Sequence, residues 1–114
     1  NRLGCDQSFY KVLYKNNANG TRACIYKDSI VKNFDKTISI LYLVEHNRPS
    51  YYKELTYFHN KLYAEIDCSK RMIRVYSVFL LDSQFNKVIS FQQSPSKFES
   101  YGEIGPYLHN YVCK

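Results

Sequence analysis

Lys61-Leu62-Tyr63-Ala64-Glu65-Ile66-Asp67-Cys68-Ser69-Lys70-Arg71-Met72-Ile73-Arg74-Val75-Tyr76-Ser77-Val78-Phe79-Leu80-Leu81 reads as two strands, Lys61–Cys68 and Arg71–Leu81, joined by Ser69-Lys70. In the first, Leu62, Ala64 and Ile66 alternate with Tyr63, Glu65 and Asp67, the period-two pattern of a strand with one buried face. The second is rich in β-branched and aromatic residues. A tight antiparallel pairing places Ile66 opposite Ile73 and Ala64 opposite Val75 on one face. It places Glu65 opposite Arg74 and Tyr63 opposite Tyr76 on the other. One face is then apolar and one polar and aromatic, each internally consistent. Ser69-Lys70 lacks the glycine usual in a two-residue turn, so a longer loop also fits. Cys68 shares its phase with Leu62, Ala64 and Ile66 and points toward the core.

Working outward, Phe9–Tyr14 reads as a first strand and Thr21–Tyr26 as its return. Between them Asn19-Gly20 is a strong hairpin signal, because both residues tolerate positive φ. That turn is sufficient to explain Asn19-Gly20-Thr21, which is formally also a glycosylation sequon. Asp28–Lys36 is polar and reads as a loop. Thr37–Glu45, apolar on both faces, reads as a central strand. His46-Asn47-Arg48-Pro49-Ser50 breaks the pattern, and Tyr51–His59 fits an irregular strand and a loop equally. Lys87–Gln92 reads as a final strand and Ser94-Pro95-Ser96 as a connector. In Glu103–Val112, residues Ile104, Tyr107, Leu108 and Tyr111 recur at helical spacing. Pro106 is compatible if the helix starts near Gly102 or Glu103, since a first-turn proline loses no needed N–H.

The chain has 114 residues, 45% of them apolar, a size and composition that support one domain, residues 1–114, with a single core. No run approaches the ~20 apolar residues of a membrane helix. Four cysteines occur without a CxxC or a Cys/His cluster at metal spacing. In so short a chain that is a disulfide framework, which implies an oxidising compartment outside the cytoplasm. No secretory signal is found at Asn1, so an exported chain is expected to have lost it. If Cys5 and Cys24 pair, the bridge ties the start of the chain to the return strand and contributes roughly 3 kcal/mol through loop-closure entropy. Cys113 lies opposite the helix's apolar stripe, so a bond to Cys68 requires the last turn to unwind. The helix is therefore expected to end at about Tyr111 or Val112. Net charge is +6 and the isoelectric point about 9.1, which favours acidic partners. Twelve tyrosines, seven phenylalanines and no tryptophan suit half-buried strand surfaces and binding surfaces alike.

From Asp28 onward the chain resembles the bacterial surface-adhesin protein E family, a match of about residues 26–114. The resemblance rests on Tyr26-Lys27-Asp28-Ser29-Ile30, the strand through Ile38–Val44, Leu62–Cys68, Arg71, Arg74, Ser77, Lys87-Val88 and Gly105–Lys114. It implies an α+β fold, with five or six antiparallel strands and a C-terminal helix packed on one face. It implies a Cys68–Cys113 bond stapling that helix to the sheet. It also implies a home in the periplasm or on the outer-membrane surface of a Gram-negative bacterium, adhesion to host matrix and plasma proteins, haem binding and dimerisation. The family often has a tryptophan in the strand before Glu45-His46, where this chain has Tyr42 nearby.

The chemistry-bearing residues point away from catalysis. His46, His59 and His109 lie in separate segments, with no nucleophile elbow or HExxH motif. No phosphate loop is present. Asp67 and Glu65 alternate on a face that Arg74 opposes, and the cysteines read as disulfide partners. The chain is therefore expected to be no enzyme and to carry neither metal nor cofactor. No RNP-like element is present, and nucleic acid is not an expected partner. Protein or acidic-glycan binding remains, with a homodimer as a further partner. The first candidate patch is Arg48, Tyr51, Tyr52 and Lys53, and the second is Tyr63, Arg74 and Tyr76 on the polar sheet face. The reading from sequence is an exported adhesin-type binding protein. The alternative is a periplasmic immunity or inhibitor protein that blocks a secreted toxin or a lysozyme.

Overall fold

The computed structural model describes residues 4–93 and 97–114. The connector read at Ser94–Ser96 lies outside them. Among the described residues eight strands and one α-helix follow in chain order: β1 (Tyr10–Asn16), β2 (Thr21–Tyr26), β3 (Val31–Lys32), β4 (Thr37–Tyr52), β5 (Leu55–Asp67), β6 (Met72–Leu81), β7 (Lys87–Gln92), β8 (Glu99–Ser100) and α1 (Gly105–Val112). All form one antiparallel sheet in the order β1-β2-β4-β5-β6-β7, with β3 beside β4 and β8 beside β6. The α+β class holds, but the count of five or six strands is too low. The missed pair, β3 and β8, are two-residue strands in polar stretches, too short to show alternation.

The sheet has two unlike faces. On one, Ile25, Ile38, Ile40, Tyr42, Ala64 and Ile66 form a buried cluster closed by Leu108 and Val112 of α1. These are the alternate residues of β2, β4 and β5, as a half-buried strand requires. The helix begins at Gly105 with Pro106 in its first turn and ends at Val112, where Cys113 leaves helical geometry (φ −98°, ψ 73°). That break lets Cys113 reach Cys68, and the two are disulfide-bonded with Cα atoms 5.7 Å apart. On the opposite face the amino-terminal 3-10 turn, Gly4–Asp6, folds down over Leu43. Cys5 and Cys24 are also bonded, with Cα atoms 5.7 Å apart.

The hairpin β5–β6 has the expected partners at Ala64–Val75, Glu65–Arg74 and Ile66–Ile73. Its turn is longer than two residues, because the ladder closes at Asp67–Met72 and Arg71 takes a positive φ of 53°. The expected Tyr63–Tyr76 pairing is not formed. A bulge lies between the pairs Ala64–Val75 and Tyr63–Ser77. Tyr76 is the extra residue, and a bulge of this kind bends and twists the strand that carries it.

Candidate functional site

The outer half of the β4–β5 hairpin carries the first candidate patch. β4 does not stop at Glu45. It makes an interruption in which the four residues His46–Pro49 stand against Phe58 alone, after which the ladder resumes at Ser50–Tyr57. Pro49 is exposed within this interruption, where its missing N–H breaks no ladder bond. Tyr51–Thr56 and Tyr52–Leu55 complete the tip. Lys53 occupies the turn with a φ of 55°, a conformation glycine usually takes.

Two kinds of side chain occupy this tip. Tyr52 is anchored, its ring 4.9 Å from Phe91 with the Lys53 ammonium 5.5 Å from its face. Phe91 pairs with Val78, and Val78 with Leu62, so the tip curls toward the helix-bearing side of the sheet. Tyr51, by contrast, is 69% exposed, and Arg48 and Lys53 are exposed beside it. His46 braces the interruption, with Nε2 2.8 Å from Asn60 Oδ1 and its ring edge-on to Tyr57. Tyr51 is thus held on a paired backbone, which loses little freedom on binding, with Arg48 in the interruption before it and Lys53 in the turn after it.

The second patch is not assembled as the sequence suggested. Tyr63 lies edge-on to Phe79 with Lys61 5.8 Å from its ring. Arg74 is engaged within the protein: it donates to Glu65 Oε1 from Nε at 2.7 Å and from Nη2 at 2.6 Å, and it lies 4.4 Å over Phe98. Tyr76 sits in the bulge rather than opposite Tyr63. Satisfied side chains of this kind organise the sheet face.

A polar cluster that the sequence reading passed over lies at the end of the sheet under the amino-terminal turn. Glu45 accepts from the Cys5 amide at 3.2 Å and from Arg22 Nε at 2.9 Å, and Arg22 Nη2 pairs with the same carboxylate. His59 Nε2 stands 3.3 Å from Glu45 Oε2, and Nδ1 lies 3.2 Å from the Asp82 carbonyl. Burial acts to raise the Glu45 pKa. The hydrogen bonds from His59, Arg22 and Cys5 outweigh it and hold the carboxyl down to about 2. The signal was present in the strand phase: Glu45 continues the series Leu41, Leu43, which is buried, so a carboxylate there needs partners. The cluster floors a groove of about 580 Å³ rimmed by Lys15, Asn17, Thr21, Asn47 and Phe58. No serine, threonine or cysteine nucleophile is hydrogen-bonded to His59 among the described residues, and the cluster reads as a tether for the amino terminus. Among the described residues no three His, Cys, Asp or Glu side chains gather at metal-binding distance, and no helix is long and apolar enough to cross a membrane.

No family model, curated protein or solved structure matches the chain.

Proposed function

We propose that this is a non-enzymatic binding protein of the exported, protein E-like adhesin type, and that it engages an acidic protein surface or acidic glycan through the tip of the β4–β5 hairpin. The observation that carries this reading is Tyr51, an exposed aromatic between Arg48 and Lys53 whose neighbour Tyr52 is clamped. Tyrosine and arginine held rigidly are the residues that dominate binding hot spots. Two disulfides support an oxidising compartment such as the periplasm or the outer-membrane surface.

The hairpin's shape also favours a second reading. A paired tip beyond an interruption in the ladder is suited to entering a cleft, as an inhibitor or immunity protein does when it blocks a toxin or lysozyme. One experiment tests both. The wild-type chain and a triple variant, Arg48→Glu, Tyr51→Ala, Lys53→Glu, are used as baits in envelope extract and in serum. Tyr52 is left intact because it packs on Phe91. The proposal expects a partner captured by wild type, lost by the variant, and released as salt rises. Equal capture by both proteins removes the hairpin from the function. Recovery of a host matrix protein selects adhesion, and recovery of a bacterial hydrolase or toxin selects inhibition.

A further inference from the structure

We infer that the opposite end of β4, where the turn between β3 and β4 projects, is a docking site for an anionic lipid bilayer. Phe34 at the tip of that turn is fully exposed (110%), and Val31 is 53% exposed. The turn that presents them is firmly built. The Asn33 N–H donates to the Thr37 carbonyl at 2.8 Å, and the Lys36 N–H to the Asn33 carbonyl at 3.1 Å. The Asn33 side-chain amide donates to Thr37 Oγ1 at 3.0 Å and to Ser39 Oγ at 2.9 Å. The Asp35 carboxylate accepts from the Thr37 amide at 3.1 Å and its hydroxyl at 2.6 Å. Lys36 holds a φ of 71°. So many fixed contacts hold a phenylalanine pointing into solvent.

The register supplies the surroundings. Thr37 pairs with Asp67, so the loop between β5 and β6 stands beside this turn. Exposed Lys70 and Arg71 thereby join exposed Lys32 and Lys36 at the same end of the sheet, with Arg71 5.4 Å over the Tyr101 ring. Asp35 and Asp67 are turned into their own loops, Glu65 is paired with Arg74, and Glu99 on β8 stays exposed opposite Ile73. Asp35 is held by Thr37, and Asp67 accepts from Ser69 Oγ at 2.9 Å and the Lys70 amide at 3.2 Å. Lys32, Lys36 and Lys70 are left exposed at the same end as Phe34.

An acidic protein partner would want a flatter patch. Specific interfaces bury about 800 Å² per partner around an apolar centre, and this end offers one ring and one valine on a convex turn. A bilayer interface needs no preformed complement: the ring enters the headgroup boundary while lysines reach the lipid phosphates. The site is separate from the hairpin tip and does not depend on it.

The absence of tryptophan makes the test clean, because Phe34→Trp introduces a single indole reporter. The full chain carrying it is titrated with vesicles of phosphatidylglycerol and phosphatidylcholine, and with phosphatidylcholine alone. The expected result is blue-shifted emission with the anionic vesicles only, reversed by salt. Phe34→Ala and the pair Lys32→Glu, Lys36→Glu should each weaken vesicle co-sedimentation of the otherwise native chain about tenfold or more. Phe34→Ala removes no internal contact, so its melting transition should be unchanged. Emission that stays at the solvent value with anionic vesicles at low salt overturns the proposal. A blue shift with soluble polyglutamate but not with vesicles also overturns it, in favour of an acidic protein.

Discussion

Glu45 shows how a single half-buried charge can hold a chain terminus in place. Its carboxylate receives the Cys5 amide, the Arg22 guanidinium and the His59 ring, so the amino-terminal turn is fixed to β4 by charge as well as by the Cys5–Cys24 bond. Because the folded pKa of about 2 lies below the ordinary 4.5, this contribution is fully present above about pH 4.5. It is lost as pH falls from there toward 2. Discounted for solvent screening, it is on the order of 2 kcal/mol. Urea melts of wild type should therefore lose stability across that acid window. Glu45→Gln should start lower and show a flatter acid limb. An identical pH slope in the variant would mean that other carboxylates carry the acid sensitivity. Gly4 beside it is equally constrained. Its φ is +64°, and an added Cβ would meet the Glu45 carboxylate and the His59 ring. Gly4→Ala is expected to destabilise by about 2 kcal/mol or more, measured by the same melts. A change within about 0.5 kcal/mol would show that the turn is free to move away.

At the scale of elements, the two disulfides sit in different surroundings and should behave differently. Cys5 and Cys24 are buried, at 4% and 0% exposure, whereas Cys68 and Cys113 are both half-buried where α1 ends. Thiol–disulfide exchange needs access to sulfur. Under limiting reductant, alkylation followed by peptide mapping should label Cys68 and Cys113 first. Releasing that bond opens a loop spanning 45 residues, which is worth about 4 kcal/mol, and frees α1 to lift Leu108 and Val112 from the sheet. Near-ultraviolet circular dichroism should change with the first pair labelled. Labelling of Cys5 and Cys24 first would contradict the burial argument. The hairpin β5–β6 was legible because Leu62, Ala64 and Ile66 alternate over a buried face, and the helix boundary because Cys113 could not otherwise reach Cys68. The continuation of β4 was not legible. Four residues, one of them Pro49, face Phe58 alone, and such an interruption erases the period on which strand reading depends. Tyr63–Tyr76 failed for the same reason in smaller form, since one bulge residue moves every pairing beyond it. Arg48, Tyr51 and Lys53 of the hairpin patch are exposed all the same, whereas Tyr52 packs on Phe91. Glu45 and His59 were missed because their partnership is made by pairing across strands, not by spacing along the chain.

The whole molecule has a net charge of +6, and exposed cations stand at both ends of one strand. β4 starts beside the Phe34 turn and finishes at Tyr52, next to Lys53. Its 16 residues would span ~50 Å if straight, and they are bent into a body 37 Å in longest extent. The two proposed surfaces lie at opposite ends of β4, and one chain could rest on an anionic surface at one end while the hairpin stays free at the other. Charge reversal at each end should then separate the two activities. Arg48→Glu with Lys53→Glu should abolish salt-sensitive partner capture and leave phosphatidylglycerol vesicle binding within about twofold, since the ends lie beyond a Debye length of ~10 Å. Lys32→Glu with Lys36→Glu should do the reverse. Vesicle-bound protein should still expose Tyr51 to a soluble partner. If either pair weakens both activities equally, a diffuse electrostatic effect of the whole basic molecule, rather than two built sites, is responsible for association.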